Sequence, residues 1–313
     1  MTNEHRHSLR RSAAVLAVTV ILAGCVERPA GARDAVSTPT VVRIGATLST
    51  VTTIHEVAAV MPDIQFETLT RYGSLPGIAS LNGGERDLVF SYADVAYMAF
   101  VGRLPDASAP ATQVRAVAVL DPSTLHVLVG KRSGLYSISQ FRGKRVALGR
   151  PRGATALMAE LVLKAFGLMP SDVDGMLMDF PEGVRRLLGG EVDAVFVSGE
   201  IPHPAVAEGI AGGARLLEVT GSPVDRLHAA YPFHKLTVIP GGAYTGYPRP
   251  VRTIGVDGLL TCRADLDENL VYRLTKAFFE LPDTPVDRGR AAATPIPLHP
   301  GAARYYREQE LLR

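Results

Sequence analysis

Short apolar runs that alternate with helical patterns are the feature that most constrains the fold of this chain. The segment 64–70 alternates apolar and polar residues with the period of two that a strand requires. Helical spacing fits 52–61 and 154–166, between runs of strand length. This β-α-β-α order predicts parallel sheets flanked by helices, which bind ligands beyond the carboxyl ends of their strands. Further strands are expected at 41–46, 87–91, 114–120, 125–130, 145–148, 175–180 and 192–197, and further helices at 74–81 and 182–188.

The length and the return of the pattern predict two lobes. The chain has 313 residues, enough for two lobes of about 100–150 residues each. We expect the first lobe at 41–124 plus 232–313 and the second at 125–231. The proline-rich segment 281–297 has little periodicity, which predicts an irregular stretch over the surface.

The N-terminal segment predicts export and lipid anchoring. A basic start precedes an apolar run at 13–23, shorter than the roughly 20 residues of a membrane-spanning helix but typical of a signal peptide. The run ends in Leu22-Ala23-Gly24-Cys25, which resembles a bacterial lipobox with Cys25 as the lipidated residue. We therefore expect a lipoprotein signal peptide at 1–25 and a flexible stalk at 26–40. An ordinary signal peptide or short anchor with a chance cysteine is the alternative.

Several function classes find no support in the sequence. The net charge is only +2, and no basic run interleaves with aromatic residues, so we expect no nucleic-acid partner. The histidines lack paired metal-ligand spacing, and Cys262, in an apolar stretch, is expected to be a buried thiol. Nucleophile-elbow and Walker motifs are absent from the sequence. These observations predict a protein that is not an enzyme and has no metal or cofactor.

Small and polar residues follow the predicted strands, where parallel sheets place ligand contacts. Unpaired backbone N–H groups at helix starts favour anions, and a pair of arginines would add a bidentate clamp. The predicted ligand contacts are Thr47, Ser74, Tyr92, Arg150, Arg152, Thr155 and Glu200. For Ser74 and Thr155 the alternative role is that of an N-cap, and for the two arginines it is that of solvated surface charges.

Several sequence blocks carry a family resemblance. Asp193-Ala194-Val195-Phe196 is followed by Pro202-His203-Pro204-Ala205-Val206, and the ending begins Leu298-His299-Pro300-Gly301. The remaining blocks are 82–88, 138–149, 231–233, 239–244 and 271–280. In this order they resemble the TAXI-type solute-binding subunits of TRAP transporters. The resemblance implies a two-lobed type II periplasmic binding protein fold of the α/β class, with a ligand cleft between the lobes. It also implies a periplasmic location and TRAP membrane permease subunits as partners.

The departures from that family fall where ligand contacts are expected. Tyr92-Ala93 replaces the family's Gln-Ser, and Glu200 occupies a customary glycine. The two arginines near one helix start favour a small anionic solute, a carboxylate or an amino-acid-like compound. Glu200 either pairs with an arginine or receives an ammonium group of the ligand. The leading interpretation is solute capture for a TRAP transporter. The alternative is a solute-sensing lipoprotein that feeds a signalling partner.

Overall fold

The computed structural model of the protein describes residues 39–46, 50–70, 73–104 and 109–312. The expected signal peptide (1–25), its lipidation residue Cys25 and all but the last two residues of the expected stalk (26–40) lie outside the described residues. The same holds for the predicted ligand contact Thr47.

Within those ranges the chain forms ten strands and nine helices. The strands are β1 (Thr40–Gly45), β2 (Ile64–Leu69), β3 (Leu88–Tyr92), β4 (Val114–Val129), β5 (Arg145–Gly149), β6 (Asp174–Leu177), β7 (Ala194–Gly199), β8 (Arg215–Leu217), β9 (His234–Ile239) and β10 (Val251–Arg263). The helices are α1 (Val51–Val60), α2 (Ser74–Asn82), α3 (Ala93–Phe100), α4 (Ala154–Ala165), α5 (Phe180–Leu188), α6 (Pro204–Ala211), α7 (Ser222–Ala230), α8 (Glu268–Glu280) and α9 (Pro300–Glu308). Most lie within a few residues of the segments that the sequence predicts.

The strands pair into one mixed sheet in the order β2-β1-β3-β10-β4-β7-β5-β6, with β9 beside β10 and β8 beside β4. In the first lobe, β1 lies parallel to β2 and β3. In the second lobe, β5 lies parallel to β6 and β7. The strands β4 and β10 run antiparallel to each other, and they connect the two parallel groups. The predicted parallel groups are therefore present, joined by an antiparallel pair.

The joining strand β4 corrects one prediction. The segments 114–120 and 125–130 were expected to be separate strands, but Val114–Val129 is a single strand of 16 residues. The polar residues between the apolar runs stay paired with β10, where Ser123 lies opposite Val256. The register shifts next to this point, and such an irregularity bends a strand pair and tolerates a proline. The two strands thus cross from one lobe to the other.

The irregular segment 281–297 covers the side of β4 that faces away from β10 in the first lobe. Backbone N–H groups of β4 donate to it, from Val119 to the Ala291 carbonyl (2.9 Å) and from Asp121 to the Pro285 carbonyl (2.8 Å). The prediction of an irregular surface stretch is confirmed, because the structure assigns it no helix or long strand. Its backbone groups are nevertheless paired with the sheet.

Apolar clusters form on both sides of the joining strands. Tyr306 of α9 is fully buried with residues of β1, α1 and α8, in the first lobe. Val195 of β7 is buried with residues of α5 and α6 and with Ile239 of β9. The expected lobe limits, 41–124 plus 232–313 and 125–231, stay a prediction.

Each lobe contains the same arginine–aspartate clip. In the first lobe the backbone N–H and the guanidinium of Arg43 donate to the carboxylate of Asp87 at 2.8–3.0 Å. In the second lobe Arg145 donates to Asp193 in the same three ways at 2.9–3.2 Å. In both clips the aspartate directly precedes a strand, β3 or β7, and the arginine lies in its parallel neighbour, β1 or β5. They leave the carboxyl ends of those strands free.

A short sequence repeat accounts for the two clips. The pattern Gly-Gly-Glu-x-Asp-x-Val-Phe occurs at 83–90 and again at 189–196. In each copy the clip arginine also donates to the carbonyl of the second glycine, at 3.0 Å to Gly84 and 2.9 Å to Gly190. Both glycines have positive φ, at 78° and 75°, which residues with a side chain rarely adopt. The lobes are thus built on one local plan.

Candidate functional site

A cavity of about 510 Å³ lies at the carboxyl ends of β1, β3 and β7, where the two lobes face each other. This volume lies within the range of roughly 300–1,000 Å³ that is typical of small-molecule sites. Its walls come from both lobes, from the joining strands β4 and β10, and from the irregular segment 281–297.

The first-lobe wall contains the starts of three helices. Thr50, Gly73 and Tyr92 are the N-caps of α1, α2 and α3, and none of the three forms a side-chain capping bond. Backbone N–H groups at such helix starts attract negative charge. The predicted contacts Ser74 and Tyr92 both line the cavity here. This wall therefore suits a carboxylate or a similar anionic group.

The N-cap interpretation of Ser74 and Thr155 is wrong. The N-caps of α2 and α4 are Gly73 and Gly153, which have extended ψ angles of 155° and 156°. Ser74 and Thr155 already lie inside their helices. An N-cap needs non-helical backbone angles, and the preceding glycines supply them.

Two neighbouring residues of the first-lobe wall carry buried hydroxyl groups. Ser91 is 4% exposed, and its Oγ has no hydrogen-bond partner among the described residues. Burial raises the pKa of Tyr92, which the nearby Ser123 hydroxyl partly offsets. Tyr92 is thus a neutral phenol at neutral pH. Both hydroxyl groups are suited to hydrogen-bond a ligand.

The second-lobe wall contains Ser198, Gly199, Glu200 and His203. A β-carbon at Gly199 would lie 2.6 Å from Cδ2 of His203, so the imidazole ring packs directly on the glycine backbone. The predicted contact Glu200 is exposed to the cavity. The predicted contact Thr155 does not line the cavity, but its Oγ1 lies 2.6 Å from the Oγ of Ser198. Thr155 thus positions a lining residue.

A buried cluster of Tyr244 and His126 contacts His203. The Tyr244 hydroxyl accepts the backbone N–H of His203 at 2.8 Å and lies 2.9 Å from Nε2 of His126. Burial lowers the pKa of His126 to about 4, and the nearby His203 adds to the effect. Burial also lowers the pKa of His203, against the opposing charge of Glu200. Both rings are therefore neutral at neutral pH.

The two predicted arginines do not line the cavity. Arg150 is exposed, and its guanidinium lies 3.8 Å from the Asp179 carboxylate. Arg152 is also exposed and has a left-handed φ of 57°. Its carbonyl oxygen lies 3.1 Å from the position of a β-carbon at Gly73, so the lobes touch here through backbone. The tight turn that precedes α4 directs both side chains to solvent, away from the expected anion clamp.

Sequence reasoning missed the contribution of the joining strands. Asp121 and Ser123 of β4 line the cavity, as does Asp283 of the irregular segment. Burial raises the pKa of Asp121, and the charge of Asp287 raises it further. The polar interruption at 121–124 between two apolar runs was a usable signal. It marks the place where the chain passes from one lobe to the other.

The described residues offer little for metal or redox chemistry. No group of three or more His, Cys, Asp or Glu side chains among them could hold a metal ion. The prediction that Cys262 is a buried thiol is confirmed, and burial raises its pKa. Within the same residues, no helix combines the length and the apolar character needed to span a bilayer.

Comparisons with known proteins place this geometry in context. Residues 38–309 match the NMT1-like family. The alkanesulfonate-binding protein SsuA from Xanthomonas axonopodis pv. citri, bound to MOPS, is similar at 18% identity over 88% of this chain and 81% of that chain, with a TM-score of 0.50. PhnD1 from Prochlorococcus marinus, in complex with methylphosphonate, is similar at 14% identity over 78% of this chain and 85% of that chain, with a TM-score of 0.51.

A third match is shorter. The periplasmic aliphatic sulphonate binding protein SsuA from Escherichia coli has 17% identity over 57% of this chain and 60% of that chain, with a TM-score of 0.42. The two longer matches show the fold. It is the mixed α/β fold of type II periplasmic binding proteins, with two lobes, as the sequence predicts.

Proposed function

Since this chain belongs to the NMT1-like family, we propose that it captures a small solute between its two lobes for delivery to a membrane transporter. The observation that carries the proposal is the cavity of about 510 Å³, which has walls on both lobes and on the strands that join them. A solute that contacts both walls stabilises the closed arrangement, because it loses half of its contacts when the lobes separate.

The cavity walls support a specific set of contacts. We assign direct contacts to Ser74, Tyr92 and Glu200, and a positioning role to Thr155 through its bond to Ser198. Thr47 remains a proposed contact, since it lies in the chain between Ala46 and Thr50, which both line the cavity. The exposed Arg150 and Arg152 are assigned no contact.

A carboxylate or amino-acid-like solute fits these walls. The starts of α1, α2 and α3 form the natural position for an anionic group. Two of the similar structures hold MOPS and methylphosphonate, both of which carry an anionic group. In this proposal the helix starts take the role that the sequence analysis expected of the two arginines.

The proposals for the transporter type and the membrane anchor rest on the sequence. We propose a TRAP-type permease as the partner, on the strength of the blocks that resemble TAXI-type subunits. Export to the periplasm and lipid attachment at Cys25 follow from the signal-peptide pattern. Metabolic labelling with a radioactive fatty acid tests the anchor. The label should appear on the wild-type chain and vanish in Cys25→Ser, and a labelled variant would contradict it.

Ligand-dependent stabilisation tests solute capture directly. A solute at 100 times its Kd should stabilise the protein by about 2.7 kcal/mol, measured as a shift of the unfolding midpoint. Tyr92→Phe should reduce that shift, while Glu208→Gln, an exposed position on α6, should leave it unchanged. A panel of carboxylates, amino acids and amines that produces no shift in the wild-type protein would contradict solute capture.

The alternative is a solute sensor for a signalling partner. Both functions need the same cavity, so a transport assay must separate them. Deleting the gene should abolish uptake of the radiolabelled solute if the protein serves a permease. Normal uptake together with a lost transcriptional response would favour the sensor.

A further inference from the structure

Three carboxylate side chains line the cavity. Asp121 of β4, Asp283 of the irregular segment and Glu200 after β7 all line it. Within the described residues their carboxylates form no ion pair or hydrogen bond, and no lysine or arginine lines the cavity. Backbone pairing links the segments that carry them, because the Asp121 N–H donates to the Pro285 carbonyl at 2.8 Å and β4 pairs with the end of β7 that precedes Glu200.

Nearby carboxylates outside the cavity are neutralised. Asp257 of β10 accepts from Lys235 at 2.5 Å and from Arg290 at 3.0 Å. Arg290 also pairs with Asp287 at 2.6 Å. Among the described residues, cations thus pair with the acids around the joining strands but not with those that line the cavity. The pKa of Asp121 is raised by its burial and by the charge of Asp287, so a cation beside it would offset an existing cost of ionisation.

A second observation points to a ligand at this place. The buried Oγ of Ser91 has no partner among the described residues, although unpaired buried polar atoms are rare in proteins. Ser91 lies in β3, next to the strand β10 that pairs with β4. An unpaired hydroxyl and unpaired carboxylates in one cavity are both satisfied by a donor-rich ligand group.

We propose that the solute carries a protonated nitrogen, an ammonium or guanidinium group, which Asp121, Asp283 and Glu200 neutralise together. This inference rests on the proposed function and names its solute class. A carboxylate on the same solute would lie at the starts of α1, α2 and α3. The class is therefore basic amino acids and small diamines, rather than dicarboxylates.

Calorimetry on the full chain tests the inference with probes of matched length. Cadaverine and glutarate both have five-carbon chains but carry opposite charges, and L-lysine and L-glutamate form a second pair. The basic member of each pair should bind at least tenfold more tightly. Asp121→Asn, Asp283→Asn and Glu200→Gln should each weaken L-lysine binding about tenfold. Glu208→Gln, which removes one exposed charge that does not line the cavity, should leave it unchanged.

The outcomes separate this inference from the proposed function. Tight binding of glutarate or L-glutamate with none of cadaverine or L-lysine would overturn the inference and support solute capture. Equal effects of the three cavity variants and of Glu208→Gln on L-lysine binding would also overturn it. Binding of no probe would count against solute capture itself and would overturn the inference with it.

Discussion

The two lobes use the same clip in different surroundings. Asp87 in the first lobe has a side chain that is 7% exposed, and Arg263 of β10 approaches it at 3.6 Å in addition to Arg43. Asp193 in the second lobe is 26% exposed and is bound by Arg145. The first clip is closed over by a joining strand, whereas the second lies near the surface. The same motif should therefore stabilise the two lobes unequally.

The two copies of the repeat differ in sequence at the carboxyl ends of their strands. Each clip holds the start of a parallel strand, β3 or β7, whose carboxyl end lines the cavity. At the carboxyl ends the sequences diverge, so that the repeat pairs Tyr92 with Ser198 and Asp94 with Glu200. Asp94 is fully buried beside His234, at 3.4 Å, while Glu200 faces the cavity. A common scaffold thus supports two different ligand walls.

Removal of each clip carboxylate tests whether burial makes the two clips unequal. Asp87→Ala removes the shared counter-charge of Arg43 and Arg263, leaves Arg263 paired only with the exposed Asp265, and should lower the free energy of unfolding by about 3 kcal/mol. Asp193→Ala should cost roughly 1 kcal/mol, because solvent screens the exposed pair. Urea denaturation of both variants measures the difference. Equal losses would show that burial does not distinguish the clips.

The dependence of stability on acid pH provides a control for the urea experiment. The pKa of Asp87 is lowered because bonds and charge from Arg43 outweigh the effect of burial, and Arg145 lowers that of Asp193. A carboxyl with a lowered folded pKa contributes stability above its unfolded value near 3.9, and this is lost as the pH falls through the folded value. Asp87→Asn and Asp193→Asn should each flatten that acid loss. A variant that retains the full acid loss would exclude its clip as the source.

A second prediction concerns the buried His126 and the stability of the protein at milder pH. His126 is buried with a pKa of about 4, whereas the unfolded value is near 6.5. The unfolded chain therefore binds a proton that the folded chain rejects, and stability should fall by about 3 kcal/mol between pH 6.5 and 4. His126→Gln should remove most of this slope. His55→Gln, at an exposed position of α1, should leave it, and an identical slope in both variants would contradict the assignment.

Local patterns predicted the elements well because they depend on local physics. Period-two alternation located β2, and helical spacing located α1 and α4 within one or two residues. The prediction failed at 121–124, where a proline and polar residues suggested a break. Pairing with β10 keeps this stretch extended, and pairing partners distant in sequence leave no local signal.

The residues of the site were only partly predictable from the sequence, for the same reason. Ser74, Tyr92 and Glu200 follow strands directly, so the strand-end rule found residues that line the cavity. Arg150 and Arg152 obey the same rule, but the conformation of their turn directs them outward. Asp283 reaches the cavity from a segment without periodicity, and only the hydrogen bonds of that segment to β4 place it there.

A last comparison uses one tyrosine from each of two apolar clusters. Tyr244 packs with residues of β7, α5 and α6 of the second lobe, and its hydroxyl contacts both His126 and His203, so Tyr244→Phe should cost about 2 kcal/mol in the free energy of unfolding. In the first lobe Tyr306→Phe removes a single bond to the Val117 carbonyl and should cost about 1 kcal/mol. Only the Tyr244 variant should also weaken solute binding, because it releases the backbone of His203 at the cavity wall. Calorimetry and urea denaturation of both variants separate these effects. Weaker binding in the Tyr306 variant would show that the first-lobe core also controls the site, and that the two lobes are less independent than their separate walls suggest.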